Sequence, residues 1–162
     1  MPISSETYRD ALRHFPSGVT VVTIKVGDVV HGLTVSAFAS VSPDPPLIAV
    51  IIDHRHKAHE LLEIEGACFA VNILRHDQFE ISNRFAWVKD EERFQEGVWS
   101  AAATGAPVLP EALAWLDCTV TGRLPVGTHT IYTGLVQASH SAEDGNPLIY
   151  WNRGYRHLAT RD

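Results

Sequence analysis

The sequence predicts a mainly β protein, an antiparallel barrel with two or three short helices packed outside it, and three observations carry that expectation. Six or seven stretches rich in β-branched and apolar residues are spread along the 162-residue chain. Helical stretches do not alternate regularly with them, which argues against a doubly wound parallel sheet. The composition, 45% hydrophobic and 20% charged, is that of an ordinary globular protein and excludes disorder, collagen and coiled coil. The length suits one domain over residues 1–162, with a core of its own.

Ser5 to His14 can begin as a helix, with Ser4 or Ser5 as cap and Glu6 and Asp10 in its early turns; Pro16 and Gly18 stop it. Val19 to Val26 and Val29 to Val35 read as a hairpin turning at Gly27-Asp28. Pro43, Pro45 and Pro46 are expected to forbid regular pairing until Leu47, where a strand buried on both faces opens. Lys57 to Glu65 suits a helix, with Ala58, Leu61, Leu62 and Glu65 three and four apart and Gly66 at its end. Cys68 to Leu74 is a strand, and His76 to Trp87 a helix with Phe79, Ser82, Asn83 and Ala86 on one side.

Lys89 to Pro110 reads as irregular and is longer than a passive connection, so it is expected to cover something or to contact another chain. Leu113 to Leu124 and Thr130 to Ser139 are long strands joined through Pro125 to His129. Gly145-Asn-Pro147 turns the chain into Leu148 to Trp151, and Gly154 separates a last short strand.

Several function classes lose their support. Thirteen Lys and Arg against nineteen Asp and Glu leave a net charge of −6, without a basic cluster, which disfavours nucleic acid as a main partner. The longest apolar run, Leu47 to Ile52, is far short of a membrane helix, and the N-terminus lacks a signal peptide's hydrophobic segment. Cys68 and Cys118 form neither a disulfide framework nor a C-x-x-C motif and read as small buried hydrophobes in a reducing cytoplasm. No two glycines stand two apart, so the Rossmann fingerprint is impossible. Gly122 to Gly127 has P-loop spacing, but Thr128 stands where that loop requires lysine. Neither G-x-S-x-G nor H-E-x-x-H occurs.

Four segments can carry chemistry. Thr34, Ser36, Ser40 and Ser42 alternate with Val35, Ala37 and Val41, so a strand face would present a row of hydroxyls. Such a row has no strong base or nucleophile; it suits a flat polar heterocycle or a phosphate, or it is a half-exposed strand leaving a barrel. Asp53-His-Arg-His-Lys-Ala-His59 follows a buried strand and opens a helix, where free N–H groups and cations converge on an anion; a solvated basic turn and a metal site are the alternatives. Asn72 sits in an apolar strand, where its amide serves a ring edge or the neighbouring backbone. His129 stands in a loop between two long strands, and Tyr150, Trp151, Arg153 and Tyr155 form sheet surface or a dimer contact.

Together these segments resemble the flavin reductase-like family, the small reductases of two-component flavin monooxygenases. The pieces that carry the resemblance are Phe15-Pro-Ser-Gly-Val-Thr-Val-Val-Thr23, Gly32-Leu-Thr-Val-Ser-Ala-Phe38, the run from Ser40 to Leu47, Phe69-Ala-Val-Asn-Ile-Leu74, Gln78 to Phe85, Gly105-Ala-Pro-Val-Leu109, Gly127-Thr-His129 and Pro147-Leu-Ile-Tyr150. They occur in the family's order and span nearly the whole chain.

The resemblance implies a split β-barrel of the Greek-key, FMN-binding type with two or three flanking helices, and a cytoplasmic homodimer that binds FMN or FAD near the subunit interface. It implies an oxidoreductase: NADH or NADPH would reduce the flavin, and the reduced flavin would pass to a partner monooxygenase. The alternative is a flavin-binding electron carrier of the same barrel type without nicotinamide oxidase activity. By position, Thr34, Val35, Ser36 and Ala37, then Ser40, Val41 and Ser42, would line the isoalloxazine and ribityl chain. Asp53, His54, Lys57, Ala58 and His59 would surround the phosphate. Asn72, Phe85 and Ala86 would complete the flavin pocket, and His129 would meet the nicotinamide nucleotide, with Tyr150, Arg153 and Tyr155 beside it. The chain departs from the family at Thr128, where many relatives have Asp, at Ala37, where many have Ser, and in a phosphate turn holding His56, Lys57 and His59 where many have Ser or Thr.

Overall fold

A computed structural model of the chain describes residues 1–159. Helix α1 (Ser5–Leu12) is capped by the Ser4 side chain, which accepts from the Thr7 N–H. A two-residue strand β1 (Ser17–Gly18) leads into the hairpin of β2 (Thr20–Val26) and β3 (Val29–Val35), with Gly27 at φ +55° in the turn. Strands β4 (Phe38–Pro43) and β5 (Pro46–Asp53) form a second hairpin. Here the expectation from the prolines is corrected, because Pro43 pairs with Pro46 at the turn end of the ladder and β4 is an edge strand. At the end of an edge strand a missing N–H costs no ladder bond.

Helix α2 (Lys57–Leu62) is six residues long, shorter than its sequence pattern, and buries Ala58, Leu61 and Leu62. Strand β6 (Cys68–Ile73) precedes α3 (Phe79–Trp87) and a single-turn α4 (Asp90–Arg93). The segment expected to be irregular also holds β7 (Ser100–Ala101) paired with β8 (Pro107–Val108). It does cover something: Ala106, Val108 and Leu109 are buried, and the Thr23 hydroxyl donates to the Pro107 carbonyl. The long hairpin of β9 (Ala114–Val126) and β10 (His129–Ser141) carries two register shifts that bend it, and β11 (Ile149–Trp151) and β12 (Gly154–Arg156) close a small sheet with β1.

The main sheet runs β3-β2-β6-β9-β10-β5-β4, entirely antiparallel. Its two margins, β3 and β4, are joined by only two residues, Ser36 and Ala37. The sheet therefore curls on itself and leaves a split where the chain crosses from one margin to the other. One core fills the barrel, with Ile24, Ile52, Leu62, Phe69 and Tyr132 at or near zero exposure. A second, formed by Val21, Leu74, Phe85, Leu109 and Leu148, lies on the other face of β2 and β6 under α3. No helix among the described residues is long and apolar enough to cross a membrane.

Candidate functional site at the split

Three concavities meet at the split. One of about 620 Å³ lies between α1 and the β4–β5 hairpin, lined by Leu12, Phe15, Phe38, Ile51 and Trp151 with Arg9 and Arg13 at its rim. A second, of about 370 Å³, runs between α3 and the β11–β12 turn. The third, about 320 Å³, lies between the ends of β3 and β5 and reaches His56 and His129. Ser36 lines all three.

The local chemistry there follows from the interruption of the ladder. Both residues of the crossing are exposed, and the carbonyls of Ser36 and Ala37 accept from Phe38 and Ile51. Their N–H groups donate to no protein acceptor among the described residues. Exposed backbone donors beside a groove are met by water and are open to a ligand that displaces it. The back of β3 is rigid. Gly32 carries no side chain, and a Cβ there would stand 2.5 Å from the Phe85 ring, so α3 packs against bare backbone. Phe85, Phe94 and Trp99 form an aromatic trio with ring centres 5.0 to 5.2 Å apart.

The structure brings part of the expected set to this groove. Thr34, Val35, Ser36, Ala37, Asp53 and His129 line its β3–β5 arm, and Ala86, Tyr150, Arg153 and Tyr155 line the arm beside α3. The Thr34 hydroxyl already donates to Ser82 O at 2.6 Å, leaving its lone pairs free. Tyr155 is held through its hydroxyl by Ser82 and Asn83. The His129 ring has Nδ1 2.9 Å from the Thr128 hydroxyl, so Thr128 supports the ring.

The remaining expected residues lie elsewhere. Ser40, Val41 and Ser42 sit beyond the groove on β4, where a register shift between Ser40 and Ser42 turns the row aside. Asn72 is fully buried: its Nδ2 donates to Val21 O and its Oδ1 accepts from Leu109 N, so the amide ties β2, β6 and the covering segment together. Phe85 and Ala58 are core residues. In the turn before α2 most polar side chains are spent internally. His54 Nε2 lies 3.0 Å from Thr130 Oγ1, and the His59 ring stacks on it with centroids 4.6 Å apart. His59 Nδ1 meets the Tyr132 hydroxyl, which donates to Glu63. Burial and the Glu63 partner push the Tyr132 phenol well above its usual range.

Lys57 faces Asp90 of α4 at 3.6 Å. Asp53 is clasped by Arg55, whose hydrogen bonds hold the carboxyl well below the usual carboxylate range. His56, from the turn expected to hold phosphate, lines the groove, and so do Asn83 and Trp87, which the sequence did not single out for the site. Asn83 lies on the helix side already marked by Ser82 and Ala86, and Trp87 is an apolar residue off the buried Ser82–Phe85 face, a signal visible in the helical spacing.

Comparisons with known proteins agree with this geometry. The family description "Flavin reductase like domain" matches residues 12–159. The reductase component of 4-hydroxyphenylacetate 3-monooxygenase from Thermus thermophilus is 40% identical over 153 residues, covering 94% of this chain and 96% of its own. An NADH-dependent flavin reductase from a Rhodococcus species is 39% identical, over 93% of this chain and 84% of its own. The solved structure of the NADH:FAD oxidoreductase of Streptomyces globisporus C-1027, in complex with NAD and FAD fragments, superposes with a TM-score of 0.89 at 28% identity, over 98% of this chain and 97% of that one. With a split barrel, a groove at its break and a match along nearly its whole length, the chain belongs to the flavin reductase-like domain family.

Proposed function

We propose that this protein is an NAD(P)H-dependent flavin reductase that supplies reduced FMN or FAD to a partner monooxygenase. The observation that carries this reading is the pair of unpartnered N–H groups at Ser36 and Ala37, placed where three concavities converge. A flavin fits that feature, since its pyrimidine edge offers the acceptors N1, O2 and O4 around a single N3–H donor and its ring system is flat. Bound flavin would accept a hydride at N5 from the reduced nicotinamide, a transfer that needs no protein acid or base. The chain's own work is to hold and to orient. Ser36 and Ala37 would hold the ring edge through their free N–H groups, whose dipoles would favour negative charge there. The back of β3, packed by Phe85 against Gly32, fixes the strand from which the crossing departs. His129, its ring supported by Thr128, borders the same groove on the side where a nicotinamide nucleotide would lie.

The large apolar concavity supports a homodimer. Phe15 is 76% exposed and Leu12 51%, and both line it, so a second copy covering that face would bury them. The relatives named as reductase components support a monooxygenase as the acceptor of reduced flavin. The test is to follow NADH loss with and without added flavin. Consumption that requires flavin is expected; tightly bound flavin without turnover would favour an electron carrier instead. In the same assay His129→Ala is expected to raise the KM for NADH about tenfold, about 1.4 kcal/mol, and to leave the flavin constant within twofold.

A further inference from the structure

We infer that Trp87 is a stacking platform for an adenine ring, carried either by FAD or by the nicotinamide dinucleotide; the inference rests on the flavin reductase reading above. Trp87 ends α3 with 84% of its surface exposed, more than any other aromatic residue described. An indole left this bare costs solubility and contributes little to packing, unlike the other tryptophans. Trp99 belongs to the aromatic trio and donates its N–H to Glu96 O. Trp151 donates to His14 O, and Trp115 packs against the covering segment. The Trp87 N–H donates to no protein group among the described residues.

The backbone beneath this bare ring is fixed on both sides. Val88 N–H closes the helix on Arg84 O, and Val88 O accepts from Arg93 Nε at 2.9 Å. Arg93 is itself anchored, by Gly32 O at 2.6 Å and by Asp90 at 2.9 Å. A rigid mount carrying an unburied aromatic face is the arrangement that binds a nucleobase, because stacking needs a positioned ring and no hydrogen-bond code.

The position of the ring selects the base. Trp87 lines the arm that leaves Ser36 between α3 and the β11–β12 turn, so a ligand whose reacting ring is seated at Ser36 can extend a nucleotide tail toward it. The opposite wall offers Arg153, 72% exposed and held among the described residues by a surface pair with Asp10 at 3.6 Å, which a phosphate can displace at small cost. Asn152 and Arg153 sit at φ 48° and 64°, in the left-handed region that non-glycine residues enter only when a tight turn demands it. A flat face at one wall and a cation at the other match an adenine joined to a diphosphate. FMN, which ends at its single phosphate, has no group to reach the tryptophan.

The experiment compares wild type, Trp87→Ala and Trp87→Phe for affinity toward FMN and FAD, and for KM toward NADH and reduced nicotinamide mononucleotide, which lacks adenine. If the adenine comes from flavin, Trp87→Ala weakens FAD about tenfold and leaves FMN unchanged; if it comes from the dinucleotide, KM for NADH rises about tenfold and that for the mononucleotide does not. Trp87→Phe should recover most of either loss, a rescue that a merely structural role would not give. Should Trp87→Ala preserve both the FAD-to-FMN and the NADH-to-mononucleotide ratios while wild type turns over normally, the platform is refuted and the reductase reading stands. Should wild type neither bind flavin nor oxidise NADH, both fall. Trp87 is almost wholly exposed, so the melting temperature is expected to be the same in all three proteins.

Discussion

The crossing at Ser36–Ala37 and the turn from Asp53 to His59 lie at the two ends of the same arm of the groove, and both are polar segments that leave a buried strand. They differ in what their polar groups are doing. At the crossing two backbone donors are free. In the turn the side chains of His54, His59, Asp53, Arg55 and Lys57 already have partners, and only the Lys57 and Ala58 N–H groups that open α2 donate to no protein acceptor among the described residues. A polar cluster binds ligand through the groups its own fold leaves unsatisfied, and residue type alone does not say which those are.

The comparison breaks most readily at Tyr132, the turn's anchor. Its hydroxyl meets His59 and Glu63, and Tyr132→Phe strands both partners at the edge of the core. The expected loss is about 2 kcal/mol of stability, read from the urea midpoint, with flavin affinity unchanged. A variant of normal stability and weak flavin binding would reverse the roles assigned to the two regions. At the crossing, Ala37→Pro removes one free N–H while keeping the carbonyl that accepts from Ile51. Flavin affinity is expected to fall about tenfold by fluorescence quenching, about 1.4 kcal/mol, without a matching change in melting temperature.

A smaller effect is expected at Lys57. Because Asp90 already faces its ammonium, Lys57→Ala should change flavin affinity no more than about twofold in low salt. A tenfold loss that vanishes in high salt would restore the turn as a phosphate clamp. The smallest effect is in acid. Burial lowers the pKa of His31 below the usual 6.5, outweighing the favourable charge of Asp90 at 3.3 Å, with Arg93, Lys57 and His56 adding to the depression. The unfolded chain therefore takes up a proton at position 31 that the folded chain refuses. Stability is complete above about pH 6.5 and declines as pH falls below it toward the lowered native value. Urea midpoints at pH 7.5 and pH 5.5 should show a smaller drop for His31→Asn than for wild type.

Much of the barrel was legible because its signals are local. The Gly27-Asp28 turn between two β-branched runs, the Ser4 cap and the three-four spacing of Ala58, Leu61 and Leu62 all name their elements without tertiary help. The β4–β5 hairpin was hidden because three prolines argue against pairing until one knows that the strand is at an edge. At the site, Ser36, Ala37, His129, Tyr150 and Tyr155, singled out through the resemblance, line the groove. Asn72 and Lys57 were misplaced by the same cause: each was expected to serve a ligand, and each is spent on a contact distant in sequence, Leu109 in one case and Asp90 in the other. Trp87 escaped notice because its meaning depends on exposure, which sequence shows only as an interruption of the apolar stripe.

The unclosed seam has a mechanical consequence. No inter-strand hydrogen bond joins β3 to β4, so the gap at Ser36–Ala37 can widen or narrow by a fraction of the roughly 4.8 Å strand spacing while every rung elsewhere stays intact. Two crossing residues act as the hinge, and the rest of the cylinder supplies the frame. A seat built this way accommodates rings of unequal girth, and lets a visitor leave, at the cost of a few backbone torsions in place of a repacked interior.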